Sequence, residues 1–173
     1  MADEEASMME EGVFQLGFPD LVQSDLAETA LRLILAMAFG MVLGVDREIR
    51  DKPAGMRSHM LVSLAAACLT LMTFSIVDAS DTFGDTVRTD PLRVIEAVVA
   101  GVAFLGAGAI IQSRGGVTGI TTGASMWVAG AIGIASGLGQ YALAGITTAL
   151  AFTVLFFLGK LEKHLKKENG SGA

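Results

Sequence analysis

The chain has 173 residues, 52% of them hydrophobic and only 17% charged, with a formal net charge of −6. A mean hydropathy of +0.58 is too high for an ordinary water-facing surface, and the charge balance excludes the basic footprint of a nucleic-acid binder. The length suits one domain, and the single cysteine, Cys68, rules out an intrachain disulfide.

Residues 1–25 read as an acidic, disordered tail. Asp3, Glu4, Glu5, Glu10, Glu11, Asp20 and Asp25 give it −7 with no Lys or Arg, so the rest of the chain sums to +1. An acidic start is unlike a cleaved secretory signal. Val13, Phe14, Leu16 and Phe18 form a short apolar patch suited to a membrane surface.

Five apolar stretches follow, each near the roughly 20 residues that a helix needs to cross a bilayer. They are Leu26 to Val45, His59 to Val77, Leu92 to Gln112, Thr121 to Leu138 and Tyr141 to Leu158, and only Gly139 and Gln140 separate the last two. The expected architecture is all-α, with a five-span membrane domain over 26–159 and a short basic tail over 160–173, whose final "GSGA" reads as vector-derived. A soluble helical bundle is the competing fold. It needs a polar face on every helix, and the second and fifth stretches have none.

Orientation follows the Lys and Arg of the short connections. Arg47, Arg50, Lys52, Arg57, Arg114, Lys160, Lys163, Lys166 and Lys167 all fall on one side of an alternating five-span path. That side is cytoplasmic, which leaves the amino terminus periplasmic and the carboxyl terminus cytoplasmic. The other side carries Arg88 and Arg93 among Asp78, Asp81, Asp85 and Asp90.

Glycine is dense within the spans, although each one weakens a helix by about 1 kcal/mol relative to alanine. In a bilayer, small residues four apart let backbones approach and take the place of a hydrophobic driving force. Gly40 and Gly44 continue such a stripe from Ala36. Gly133 and Gly137 end one that begins at Ser125 and Ala129, and Gly101, Gly106 and Gly108 lie beside Ala103 and Ala107. A tight bundle or homodimer is expected from these faces; the general abundance of glycine in membrane helices is the plainer account. Neither a P-loop nor a dinucleotide fingerprint fits "GVAFLGAGAII", which has no lysine and no preceding strand. The connection "SRGGVTG" reads as a turn, with Gly115 and Gly116 at positive φ and Thr118, Thr121 or Thr122 as helix cap. With Arg114, that helix start also has the makings of an anion site.

Ionisable groups inside a span tend to face protein or a water-filled path. Glu28 and Arg32 are four apart on the first span, and Arg93 and Glu96 three apart on the third; neighbouring helices would join them in one network or polar vestibule. Snorkelling to the membrane edge is the alternative. His59 is a lone interfacial histidine, open to a proton-sensing role but needing none. No nucleophile–base pair and no zinc spacing is legible, so no enzyme activity and no cofactor are expected. Asp46, Asp90 and Glu96 supply oxygen ligands suited to Mg²⁺, without a spacing that defines a site.

"VDREIRDKPAGMRSHMLVSL", "DPLRVIEAVVAGVAFLGAGAII" and "GGVTGITTGASMWVAGAIGIASGLG" resemble the MgtC/SapB family of bacterial inner-membrane proteins. The resemblance implies five spans, in some members followed by a soluble domain, of which this sequence is read as the short form. It implies a part in adaptation to magnesium limitation and, in pathogens, in survival inside macrophages, and it brings in the F-type ATP synthase as a partner that one member restrains. Asp46 and Arg47 match an acid–arginine pair, Ala54, Gly55 and Arg57 an Ala-Gly-Leu-Arg pattern, and Asp90, Pro91 and Arg93 an Asp-Pro-x-Arg pattern. Phe104 to Gly108 match the Phe-Leu-Gly-Ala-Gly core, and Thr121, Thr122 and Trp127 the start of the fourth span. Asp46 stands for the usual Glu, Thr121 for Asn in some members, Val128 for Cys in some, and Glu96 for a small residue in many. The expected role is non-enzymatic, with membrane lipids, a second copy and membrane proteins as partners; a channel or transporter using Glu28, Arg32, Arg93 and Glu96 is the alternative. Lipid binding through Arg57 and the Arg114 connection is a third reading.

Overall fold

A computed structural model describes residues 26–81, 90, 92–113 and 116–169. The acidic tail, the connection carrying Asp85 and Arg88, Arg114 with Gly115, and the final four residues lie outside the described residues. Five helices make up the fold: α1 (Leu26–Ile49), α2 (Met56–Asp81), α3 (Leu92–Gly108), α4 (Ile120–Gly137) and α5 (Tyr141–Asn169). Between α3 and α4 lie two short strands, β1 (Ile111–Ser113) and β2 (Gly116–Thr118), paired antiparallel with Gln112 opposite Val117. The third apolar stretch therefore stops being helical at Gly108 rather than at Gln112, and the turn expected at 113–119 is instead part of a hairpin.

Helix ends follow local chemistry. After α1, Asp51 takes a left-handed φ of 51°, the Lys52 N–H donates to the Arg47 carbonyl at 3.0 Å, and the Asp51 N–H donates to Glu48. This is a Schellman closure, with Pro53 following to prevent continuation. The same motif ends α4: Gly139 sits at φ 73°, Gln140 donates to Ala135 at 2.8 Å and Gly139 to Ser136 at 3.0 Å. One residue later α5 begins, which is how two residues suffice to reverse the chain. Replacing Gly139 by Ala forces a Cβ into the left-handed region and is expected to cost about 1–2 kcal/mol, read from thermal unfolding in detergent. The α4 start differs from expectation. Gly119, at φ 88°, is the N-cap in place of a threonine and makes no side-chain cap; the left-handed φ and the Ala109 carbonyl, which a Cβ would strike, both call for glycine there.

α4 is the hub and packs against the other four helices, while α3 packs on α4 and α2. Helix directions alternate. Gly44 lies on Met56, Gly40 on Ser63, Gly133 on Ser63, Gly137 on Ala67, and Gly106 on Gly123. Hence α1, α3 and α5 run one way, and α2 and α4 the other. One end of the bundle gathers the close of α1, the start of α2 and the hairpin, and is called here the arginine-rich end.

Many large apolar side chains face outward, and an otherwise apolar core holds several polar ones. His59, Ser63, Ser125 and Ser136 are buried, while Leu61, Phe104, Ile146, Leu150 and Phe157 point outward. Buried hydroxyls return to their own helices: Thr70 donates to Ala66 at 2.8 Å, Ser136 to Ile132 at 2.9 Å and Thr148 to Ala144 at 2.7 Å. These bonds satisfy hydroxyls that burial takes away from any other partner. α1 and the Met56–Val77 part of α2 are long and apolar enough to cross a membrane, and Tyr141–Phe157 is a shorter apolar helix.

Candidate functional site

The last turns of α1 carry Asp46, Arg47 and Arg50. The buried stripe of this helix runs Ala36, Gly40, Leu43, Gly44, Asp46 and Arg47, so the helix period turns the acid and the first arginine inward. Asp46 and Arg47 are each only 4% exposed. The Arg47 Nη2 donates to Asp46 Oδ2 at 2.7 Å, and Arg50 Nε donates to Asp46 Oδ1 at 2.8 Å. Both carboxylate oxygens are thus engaged by guanidinium groups. Arg50 continues toward the Phe156 carbonyl of α5, 3.5 Å away, and lies against Gly159. Glu48 turns the other way and accepts the Met56 N–H at 2.9 Å, satisfying a free donor at the α2 start. Gly55 leaves room for this carboxylate.

One turn into α2, His59 is fully buried. Its Nδ1 lies 2.7 Å from the Gly55 carbonyl, and its Nε2 lies 2.8 Å from Ser125 Oγ on α4. A carbonyl only accepts, so Nδ1 carries a proton. Ser125 Oγ also lies 2.9 Å from the Thr122 carbonyl, and a hydroxyl has one hydrogen to give. When Ser125 donates to Nε2 the imidazole is neutral; when it donates to Thr122, Nε2 must carry a second proton. The Gly40 stripe on α1 seats against the His59 carbonyl, so three helices meet at this residue.

The family model described as the MgtC family matches residues 33–164. The chain belongs to the MgtC family. It is 35% identical to the Escherichia coli K12 protein named "Putative magnesium transporter YhiD", over 83% of this chain and 66% of that one. It is 33% identical to the Brucella abortus protein MgtC, over 84% of this chain and 58% of that one, and 35% identical to Bacillus subtilis SapB, over 64% and 48%. The chain therefore spans about half to two thirds of the length of the curated relatives it matches. No solved structure matches it.

The acid–arginine pair of the MgtC family resemblance is thus a buried ion pair here. Other singled-out residues lie elsewhere. Arg57 and Thr121 are exposed, Thr122 is buried at 1%, and Trp127 is 47% exposed on the outside of α4. Asp90 accepts the Leu92 N–H at 3.0 Å and caps α3 at the end of the bundle opposite Asp46. Asp46, Asp90 and Glu96 are therefore not brought together. Among the described residues no group of three or more His, Cys, Asp or Glu converges on a metal position.

Nor do Glu28, Arg32, Arg93 and Glu96 form one network. Arg32 Nε donates to Glu28 Oε1 at 3.0 Å, and Arg32 Nη1 to the Gly137 carbonyl at 3.0 Å, so the guanidinium closes the corner between α4 and α5. Arg93 and Glu96 are exposed on α3, which packs on α4 and α2 and has no comparable packing on α1. Gly40, Gly44, Gly106, Gly133 and Gly137 each lie against backbone of a neighbouring helix, whereas Gly101 and Gly108 face open space. Sequence reading missed Ser63, Arg50 and the His59–Ser125 pair. The available signal was a histidine and two serines among small residues of apolar stretches.

Proposed function

We propose that this chain is a non-enzymatic, five-span protein of the bacterial inner membrane, serving adaptation to magnesium limitation through membrane protein partners rather than by passing the ion. Five helices of alternating direction, an apolar exterior and basic connections at one end support a periplasmic amino terminus and a cytoplasmic carboxyl terminus. The observation that carries the reading is Asp46. A Mg²⁺ path needs carboxylate or carbonyl oxygens free to replace water, and both Asp46 oxygens are held by arginines. Arg32, paired with Glu28 and turned onto Gly137 rather than toward Arg93 and Glu96, gives no support to an outer charged vestibule.

The open glycines of α3, Gly101 and Gly108, support a second copy as one partner in the bilayer. The F-type ATP synthase, implied by the resemblance, is the other candidate. In inverted membrane vesicles, added purified protein is expected to lower ATP-driven proton pumping. In proteoliposomes, Mg²⁺ entry is expected to match that of empty liposomes. Saturable Mg²⁺ entry would overturn the reading, and unchanged pumping at saturating protein would remove the ATP synthase as partner.

A further inference from the structure

We propose that two copies of this chain meet along the outward face of α3, with Phe104 of each seated among alanines of the other and Arg93 paired to Glu96 across the join. The proposal rests on the second-copy reading above and deepens it, naming the face, the register and the residues that select the partner.

α3 is fastened to the bundle by one side only. It packs on α4 and α2, and its buried residues are a single line of Val98, Val102 and Gly106, four apart. On the opposite side lie Arg93, Ala97, Ala100, Phe104 and Ala107, all exposed and alternately four and three residues apart. That alternation is the seam of a helix pair, because it keeps one stripe facing a like helix over several turns. α3 is also short: its 17 residues span about 25 Å, less than the roughly 30 Å of a bilayer core. Association is one way in which a short span is accommodated.

Shape along this seam is self-complementary. Phe104 is 79% exposed, more than any other large apolar side chain among the described residues. Around it Ala100, Ala103 and Ala107 are small and exposed. In a knobs-into-holes join, a side chain enters a hole made by four residues of the facing helix. With the two helices in register, the hole for Phe104 is made by Ala100, Ala103, Phe104 and Ala107 of the second copy. Gly101 and Gly108 flank the seam, with nothing within 4 Å of an added Cβ, so the two backbones can draw close.

Charge selects a like partner as well. Basic connections set one orientation for every copy, so the two-fold axis runs along the membrane normal and the paired α3 helices are parallel. Arg93 and Glu96 are exposed, and among the described residues neither side chain has a hydrogen-bond or ion-pair partner. A lone carboxylate at the lipid edge is unfavourable, and an ion pair offsets that. The axis brings each Arg93 beside the Glu96 of the other copy, which makes two ion pairs and leaves no net charge at the join.

The test uses the full chain in liposomes at a high lipid-to-protein ratio, with Cys68→Ser removing the native thiol. Oxidation of Ala100→Cys is expected to give a disulfide-linked dimer at least about tenfold faster than Leu105→Cys, which is exposed on the same helix but off the seam. Energy transfer between donor- and acceptor-labelled copies then reads association directly. Phe104→Ala is expected to weaken it about tenfold or more and to leave thermal unfolding in detergent unchanged, since the ring is exposed in the single chain. Arg93→Glu alone and Glu96→Arg alone are each expected to weaken it at least about tenfold through like charges. An equimolar mixture of the two is expected to recover it, because mixing restores only pairs between copies. Association that Phe104→Ala leaves intact, a mixture no better than its parts, or equal cross-linking of Ala100→Cys and Leu105→Cys would overturn this face and leave the second-copy reading standing. No energy transfer for the unsubstituted chain would overturn both.

Discussion

Asp46→Asn is expected to destabilise the folded bundle by about 3–5 kcal/mol. The carboxylate is the acceptor for Arg47 at 2.7 Å and for Arg50 at 2.8 Å, and its removal leaves Arg47 charged and 4% exposed without a counterion. The two arginines differ in what they can do next. Arg50 lies at the rim, with its side chain 15% exposed, and its long stem can carry the charge outward. Arg47 is held on the inward stripe beside Gly40 and Gly44 and has no such escape. The loss should therefore be recovered in large part by the double variant Asp46→Asn with Arg47→Met, since a buried pair replaced whole costs far less than a pair broken. Unfolding in mixed detergent micelles across the four proteins of this cycle measures the coupling. The effect should be insensitive to salt, because ions do not screen a pair that solvent does not reach. A loss below about 1 kcal/mol, the range of exposed ion pairs, would show that Asp46 is not buried as described.

Much of the helical architecture was legible because long apolar stretches mark helices directly. Five apolar stretches became five helices, and the two-residue link at Gly139 and Gln140 worked because glycine permits the left-handed closure there. Boundaries were less legible. α1 runs to Ile49 instead of Val45, and that extra turn converts Asp46 and Arg47 from loop residues into inward-facing helical ones. Three-residue strands are too short to show alternation, so β1 and β2 left no periodic trace. Which helix neighbours which is a tertiary fact. Spacing alone placed Arg32 and Glu28 within reach of each other, but nothing in the order of residues told that Arg32 would meet Gly137 of α4 rather than Glu96 of α3. His59 needed the same knowledge, since its partner Ser125 is distant in sequence and was read as a packing residue.

Glycine positions carry a second strong expectation, graded by what a new side chain would meet. At Gly133 an added Cβ would run into the Ser63 carbonyl and lie 2.8 Å from the Ala66 Cβ. Backbone cannot rotate away as a side-chain tip can, so α4 would have to move off α2. Gly133→Val is expected to cost about 3 kcal/mol, at the top of the usual range for overpacking, with Gly133→Ala intermediate. At Gly106 the nearest atom is the Gly123 carbonyl oxygen at 3.1 Å, so Gly106→Ala asks for a shift of a few tenths of an ångström and should cost less. At Gly101 nothing lies within 4 Å. There Gly101→Ala should leave the bundle unchanged or firmer by up to about 1 kcal/mol, through helix propensity alone. Thermal unfolding of the three alanine variants should therefore fall in the order Gly101, Gly106, Gly133, from most to least stable. Should Gly101→Ala leave stability intact yet weaken self-association in the bilayer, the open face of α3 is where two copies meet. An equal loss of stability at all three positions would mean that the approach of α2 and α4 is not what closes this bundle.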